Sequence, residues 1–361
     1  MPRLKRLILV IGMVLYTLGA AEVFLRIFNP IPLIPRYVVA TDLGIRGNQP
    51  NATYWHVSPH YRIQMRTNSK GIRSDREIPY EKPAGVKRIL LLGDSFGMGY
   101  EVDLKDTFLA QMEENLQKAG IPCETINLSV SGFGNAEELI ILREEGLKYS
   151  PDLVVLAWHS TDYVDNIRSG LFVLEEGQLV RKNPTYLPGT RAQEILYTIP
   201  GYQWIADNSQ LYNFAREQAA VRTKSFLATL RKKPVQNAEE SPTKTRAGTD
   251  LAVALLREIQ RESLASGAQF MILDIPAPAA EGSFMSTLPK QEFLEGIPVY
   301  SPIEDLLKHQ DKPLYWKEHS HRHFTPEGTR IVGLGLAKTA QGLFTKRELS
   351  GTVVDREQVV R

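Results

Sequence analysis

The stretch VKRILLLGDSFGMG at residues 86–99 constrains the fold of this chain more than any other feature. Its run RILLL shows no alternation of apolar and polar residues and stops at Gly93-Asp94-Ser95. A short, continuous apolar run that ends at a turn signal is typical of a strand buried on both faces of a parallel sheet. Helices must cover both faces of such a sheet, so the stretch predicts an α/β fold with Ser95 at its carboxyl edge.

The same alternation of strand and helix patterns continues along the chain. The strand-like segments are CETINLSV, PDLVVLAWHS, AQFMILDIP and IPVYS, and the helical ones are DTFLAQMEENLQKAG, NAEELIILREEGLKY, TDLAVALLREIQRESLASG and TPEGTRIVGLGLAKTAQGLF. We therefore predict one α/β domain over residues 86–345 with a mainly parallel sheet. The alternation breaks at about 168–248, which we interpret as an insertion; its polar part, 234–248, is typical of a disordered surface loop.

One region precedes this domain, after the N-terminal 28 residues, and another follows it. Residues 29–85 are rich in Pro, Asn, Gly and Tyr and predict a partly extended lead-in rather than a separate domain. Residues 346–361 predict a polar tail.

Residues 1–28 predict a membrane helix. Arg3, Lys5 and Arg6 precede an apolar run, and a helix over residues 7–25 would span about 28 Å, close to the thickness of the hydrocarbon core. The basic N-terminus favours the cytoplasmic side, which places the rest of the chain outside. Two alternatives stay open: a signal peptide cleaved near residues 19–21, and a buried helix of a soluble protein.

Composition excludes several classes of function. The 361 residues carry a net charge of only +2, and no basic block marks a nucleic-acid partner. The single cysteine, Cys123, excludes an internal disulfide framework and a paired-thiol zinc or redox site, and we predict that it is buried. Neither common glycine-rich phosphate loop is present, and we predict no cofactor.

The segment GDSFG at residues 93–97 carries the clearest chemical signal. Glycines on both sides let the backbone turn tightly and leave the Ser95 hydroxyl accessible. A serine becomes a nucleophile only beside a base, and the candidate base lies in EHSHRHFTPEG at residues 318–328. There, His323 directly precedes a helix start in which Thr325 is the expected N-cap and Pro326 the first helical residue.

The histidines of this segment also raise a metal hypothesis. His319, His321 and His323 alternate, so on an extended strand they would share one face, and imidazoles suit zinc, copper or nickel. No fourth ligand is indicated, and we predict no metal.

The block RILLLGDSFGMGYEVDLKDTF, with its lead-in MRTNSKGIRSDREIPYEKPAGVK, resembles a membrane-anchored bacterial branch of the SGNH/GDSL hydrolases, which are esterases and lipases. The resemblance covers about residues 65–166 and 268–343. It implies a flavodoxin-like three-layer α/β/α sandwich. It further implies a serine esterase in the bacterial inner (cytoplasmic) membrane with its catalytic domain on the extracytoplasmic side. The implied substrate is an acyl or acetyl ester, with a carbohydrate ester as one class.

The resemblance also implies roles for individual residues. It makes Ser95 the nucleophile and His323 the general base. The oxyanion hole falls on the N–H groups of Ser95 and Gly132, and on Thr161 in HSTDYVDN, where the family usually has asparagine. Asn166 is a nearby amide that would substitute for it. The acids Asp94 and Asp162 are predicted to support these loops.

One expected residue is missing from the last block. The family usually carries an aspartate two or three residues before the histidine, but His321 and Ser320 occupy these positions. Glu318 is the nearest acid and is the candidate orienting acid. The departure leaves two alternatives to the esterase: an O-acyltransferase that uses the same site, and a catalytically impaired glycan-binding or assembly protein.

Overall fold

The computed structural model describes residues 2–230, 246–279 and 282–358. The sheet has five parallel strands: β5 (Lys87–Leu92), β6 (Cys123–Asn127), β7 (Leu153–Trp158), β10 (Gln269–Asp274) and β13 (Val299–Tyr300). Their order across the sheet is β6-β5-β7-β10-β13. Numbered among themselves, these strands follow the order 2-1-3-4-5, which is the flavodoxin-like order. The predicted fold class is confirmed.

Helices cover both faces of this sheet, because every central strand is apolar on both sides. In β5, Ile89 and Leu91 join one core and Leu90 and Leu92 join the other, and all of them are fully buried. The first core lies under α3 (Phe108–Lys118) and α11 (Pro326–Gln358), and Cys123 is buried in it, as predicted. The second lies under α4 (Asn135–Glu144), α5 (Asp162–Ser169) and α9 (Arg246–Ala265).

The lead-in contains more structure than an extended chain. Strand β1 (Val38–Ala40) pairs with β2 (Arg46–Asn48), and β3 (Thr53–Val57) pairs with β4 (Arg62–Arg66), both antiparallel. Strands β3 and β4 alternate exposed and buried residues. Their buried residues pack with Met98 and Tyr100 in a third apolar cluster, beside the predicted serine turn.

The described part of the predicted insertion is mostly helical. It holds the hairpin of β8 (Phe172–Glu175) and β9 (Gln178–Arg181), then α6 (Thr190–Tyr197), α7 (Tyr202–Asn208) and α8 (Gln210–Leu230). Most of the predicted polar loop, 234–245, lies outside the described residues, and residues 246–248 begin α9. Short elements complete the domain: α2 (Ser95–Met98), β11 (Ala277–Pro278), β12 (Phe284–Met285) and α10 (Ile303–Leu307).

Both ends of the chain are helical. Helix α1 (Pro2–Phe28) is long and apolar enough to cross a membrane, and no residue of its most apolar stretch is buried. The predicted polar tail is not separate from the domain's last helix, because α11 continues through it to Gln358.

Candidate active site

Ser95 lies at the point where the strand order of the sheet reverses. It follows β5, whose neighbours β6 and β7 lie on opposite sides, and it begins the short helix α2. Asp94 caps this helix, with its Oδ1 accepting from the Phe96 N–H at 2.8 Å. Ligands of open α/β sheets bind at such a switch point, outside the carboxyl ends of the strands. The serine thus has the position that the sequence predicted.

His323 is held against Ser95 by the entry to α11. Its Nε2 lies 2.8 Å from Ser95 Oγ, within hydrogen-bonding distance. Thr325 caps α11 by accepting from the Gly328 N–H at 3.2 Å, as the sequence predicted. On the other side, the Trp316 N–H donates to the His323 carbonyl at 2.9 Å, which fixes the backbone before the helix.

The acid beside His323 is Glu101, not Glu318. Glu101 Oε2 lies 3.0 Å from His323 Nδ1, and it also accepts from the His323 backbone N–H at 3.1 Å. Glu318 is exposed and does not contact the imidazole. The prediction of Glu318 as the orienting acid is therefore wrong: the acid approaches from the loop after α2, across 222 positions of sequence.

The surroundings of Glu101 keep it ionised. Its other oxygen, Oε1, accepts from the His321 backbone N–H at 2.8 Å and from the Tyr61 hydroxyl. Burial acts to raise the pKa of Glu101, but the hydrogen bond and charge of His323, together with the bonds from Tyr61 and His321, outweigh it and lower the pKa to about 2. The side chain is fully buried, so solvent does not weaken these interactions.

Sequence reasoning missed Glu101 because its backbone conformation is unusual. Glu101 has a φ of 65°, in the left-handed region, which few residues other than glycine adopt. This conformation brings a side chain only six positions after the serine back toward the histidine. The available signal was the acid in GDSFGMGYE, directly after the serine turn.

Gly132 presents an N–H group on the loop after β6. Its φ is +80°, and a Cβ added there would lie 3.1 Å from Arg46 Nη2, so the position requires glycine. Arg46 holds the loop by donating from Nη2 to the Gly132 carbonyl at 2.8 Å. Within the described ranges, neither the Ser95 N–H nor the Gly132 N–H donates a hydrogen bond, so both are available to a ligand.

His159 and Thr161, on the loop after β7, lie close to Asp94 on the loop after β5. The Thr161 hydroxyl lies 3.0 Å from His159 Nδ1, and Asp94 Oδ2 lies 3.6 Å from the same nitrogen. The His159 ring packs on Phe96, which also packs on His323. Burial lowers the pKa of His159, which favours the neutral ring. The Thr161 hydroxyl is therefore within hydrogen-bonding distance of the His159 ring.

The two remaining polar candidates, Asp162 and Asn166, lie in α5, and their hydrogen bonds go to neighbouring residues of the protein. Asn166 is fully buried, with its Oδ1 accepting from the Ala136 N–H at 3.1 Å and its Nδ2 donating to Asn135 at 2.9 Å. Asp162 accepts from the His159 N–H at 3.0 Å, and burial with Glu138 nearby raises its pKa well above the usual range. Asp162 supports the loop, whereas Asn166 has no free amide for an oxyanion.

The three histidines of the segment before α11 do not share one face of a strand. His319 and Arg322 have φ values of 48° and 63°, so the backbone turns between the rings. Among residues 2–230, 246–279 and 282–358, no group of three or more His, Cys, Asp or Glu side chains is placed to hold a metal ion.

Comparisons with known proteins find likeness at the level of structure. No protein-family model and no curated protein matches the chain. It is similar to an esterase from Pseudoalteromonas sp., with 13% identity, coverage of 72% of this chain and 99% of that one, and a TM-score of 0.38. It is also similar to a lipase/acylhydrolase from Enterococcus faecalis, with 13% identity, coverage of 71% of this chain and 96% of that one, and a TM-score of 0.37.

A member of the lipolytic protein G-D-S-L family from Veillonella parvula is also similar, with 9% identity, coverage of 72% of this chain and 99% of that one, and a TM-score of 0.37. The chain has the flavodoxin-like fold, and a serine and histidine in contact, as its resemblance to the SGNH/GDSL hydrolases implied.

Proposed function

We propose that the protein is a serine esterase that uses Ser95, His323 and Glu101. The observation that carries the proposal is the chain of contacts from Ser95 Oγ to His323 Nε2 at 2.8 Å and from His323 Nδ1 to Glu101 Oε2 at 3.0 Å. A nucleophile, a base and an acid in this order form the arrangement that activates a serine for acyl transfer.

Each of these residues has a role in the proposed reaction. His323 Nε2 takes the Ser95 proton as Oγ attacks the ester carbonyl, and the ionised Glu101 stabilises the imidazolium through Nδ1–H. The N–H groups of Ser95 and Gly132 donate to the oxyanion. His323 then protonates the leaving alcohol, and in the second half of the cycle it takes a proton from the water that releases the acid.

The orienting acid removes the reason for expecting an impaired site. That hypothesis rested on the missing aspartate before His323, and Glu101 supplies the carboxylate from another loop. The acyltransferase follows the same steps up to the acyl-enzyme, and it differs only in the alcohol that replaces water.

A carbohydrate ester is the substrate class that we propose. The supporting observation is a cleft of about 810 Å³ beside the segment that carries His323. Its lining includes Trp316, whose ring stacks on His60 at 6.0 Å, together with the charged side chains of Glu318 and Arg322. Aromatic rings and a few polar groups in a cleft of this size suit a sugar ring and its hydroxyls.

We also propose that α1 anchors the enzyme in the bacterial inner membrane as a single span, with the catalytic domain on the extracytoplasmic side. The exposed apolar surface of α1 and the basic residues in its first turns, Arg3, Lys5 and Arg6, support this topology.

The test is acetate release from an acetylated glycan by the purified full chain in detergent. We expect release by wild type and by S266A, which changes an exposed serine on the distant end of α9, and none by S95A. Equal release by S95A would overturn the proposal. Transfer of acetyl to an added glycan in place of release would assign the acyltransferase.

A further inference from the structure

Helices α6 and α7 turn polar side chains toward the protein. Gln193 Nε2 donates to the Val38 carbonyl at 3.3 Å, and Gln203 Nε2 donates to the Tyr37 hydroxyl at 2.6 Å. Helices on the surface of a globular protein usually have the opposite arrangement, with the apolar side inward. These hydrogen bonds, together with the edge-on packing of Tyr197 on Tyr37, hold the two helices to the domain.

Large apolar residues of the same helices, and of the segment between them, are exposed. The α6–α7 apolar face consists of Ile195, Ile199, Trp204 and Ile205, with exposed fractions of 66%, 51%, 67% and 42%. Single exposed apolar residues are common, but four large ones within residues 195–205 mark a surface that another apolar phase covers.

Hydrogen bonds hold residues 208–211, which follow this face in the chain, to the end of α1. Glu22 accepts from the Ser209 hydroxyl at 2.8 Å and from the N–H groups of Gln210 and Leu211 at 3.0 and 2.8 Å. Arg26 pairs with Glu22 and donates to the Asn208 carbonyl at 2.8 Å. The C-terminal end of α7 and the start of α8 therefore sit at the last two turns of α1.

Trp204 is only one helical turn from this junction. Asn208, whose carbonyl accepts from Arg26, donates from Nδ2 to the Trp204 carbonyl at 2.9 Å. Tryptophan is enriched where a membrane helix leaves the hydrocarbon, because its ring is apolar and its N–H polar. Phe24 and Phe28 of α1, 57% and 71% exposed, lie in the same last turns.

We propose that the α6–α7 apolar face lies in the headgroup region of the bilayer that α1 crosses. Its occupant is lipid: the face is apolar, it carries a tryptophan, and it is hydrogen-bonded to the point where α1 ends. The insertion then forms a second membrane contact that sets the orientation of the catalytic domain. This inference rests on the proposed membrane span of α1 and does not depend on ester hydrolysis.

The test uses the full chain, reconstituted in phosphatidylcholine–phosphatidylglycerol vesicles. A nitroxide is attached at I195C or I199C in a C123A background, and its accessibility to oxygen and to a water-soluble nickel chelate is measured. L264C is the matched control, because Leu264 is 55% exposed on the remote helix α9. L15C reports on α1 itself, since Leu15 is 64% exposed.

We expect the labels at Ile195 and Ile199 to show high oxygen and low nickel accessibility, at a depth of about 5–10 Å, and the label at Leu264 to show the reverse. If Leu15 is in lipid while Ile195 and Ile199 are as accessible to nickel as Leu264, the inference is overturned but the membrane span stands. Spin–spin broadening at Ile199 that disappears on dilution with unlabelled protein would assign the face to a second copy and also overturn it. If Leu15 is itself accessible to nickel, the membrane span fails and the inference with it.

Discussion

Replacing Glu101 by glutamine removes the charge behind His323 with little change of shape. The pKa of Glu101 is lowered from 4.5 to about 2, which corresponds to about 3 kcal/mol in favour of the ionised carboxylate. Four donors converge on the two carboxylate oxygens: the His323 ring, the His321 and His323 N–H groups, and the Tyr61 hydroxyl. A glutamine amide accepts through one oxygen only, so its NH₂ must face two of these donors.

The effect on catalysis follows from the same interactions. The charge-assisted hydrogen bond from the imidazolium to Glu101 is worth up to about 3 kcal/mol, and its loss corresponds to roughly 10²-fold in rate. If the amide also reverses the tautomer of His323, the loss reaches about 10⁴-fold, as the triad template indicates. We therefore expect E101Q to lower kcat by roughly 10²–10⁴-fold and to leave KM nearly unchanged, because Glu101 does not touch the substrate.

The assay is hydrolysis of p-nitrophenyl acetate by the purified full chain, with circular dichroism as the check on folding. The matched control is E318Q, the same chemical change at the exposed acid five positions before His323. Because p-nitrophenyl acetate has no sugar to occupy the cleft that Glu318 lines, we expect E318Q to have wild-type activity toward it. Folded E101Q with wild-type kcat, or a loss confined to E318Q, would refute the assignment of the orienting acid.

Three further predictions follow from the site. Y61F removes one donor from the buried carboxylate of Glu101, so we expect a loss of about 1.5–3 kcal/mol in the free energy of unfolding by urea and a higher pKa of Glu101; an unchanged unfolding curve would contradict this. G132A forces a Cβ toward Arg46 at a φ of +80°, so we expect kcat for p-nitrophenyl acetate to fall, whereas G120A, at a φ of +79° with no atom near the added Cβ, is the strained control and retains activity. Because Glu101 has a lowered pKa, its stabilising effect is complete above about pH 4.5 and is lost as the pH falls toward 2; the difference in unfolding free energy between wild type and E101Q is therefore expected to shrink over this range, and a constant difference would count against the ionised carboxylate.

The sheet and two of the site residues were predictable because their signals are local. Continuous apolar runs mark β5 and β7, and a strand that stops at Gly93-Asp94-Ser95 places the serine at the sheet edge. The N-cap at Thr325 likewise fixes the backbone just before α11, where His323 lies. In each case, a few neighbouring residues determine the structure.

Glu101 and the inverted helices α6 and α7 were not predictable in this way. The position of Glu101 depends on a left-handed backbone and on contacts with Tyr61 and His321, which lie 40 and 220 positions away. Helices α6 and α7 have only 8 and 7 residues, which is shorter than the window of about 11–18 residues over which a helical period can be counted. A period would also not have shown which face of the helix points outward.

The most direct test of the central claim is mass spectrometry of the full chain after reaction with a fluorophosphonate. We predict one covalent adduct on Ser95, which is absent in S95A and forms much more slowly in H323A and E101Q, while E318Q reacts like wild type. An adduct on another serine, or no adduct on folded wild-type protein, would show that Ser95 is not the activated nucleophile.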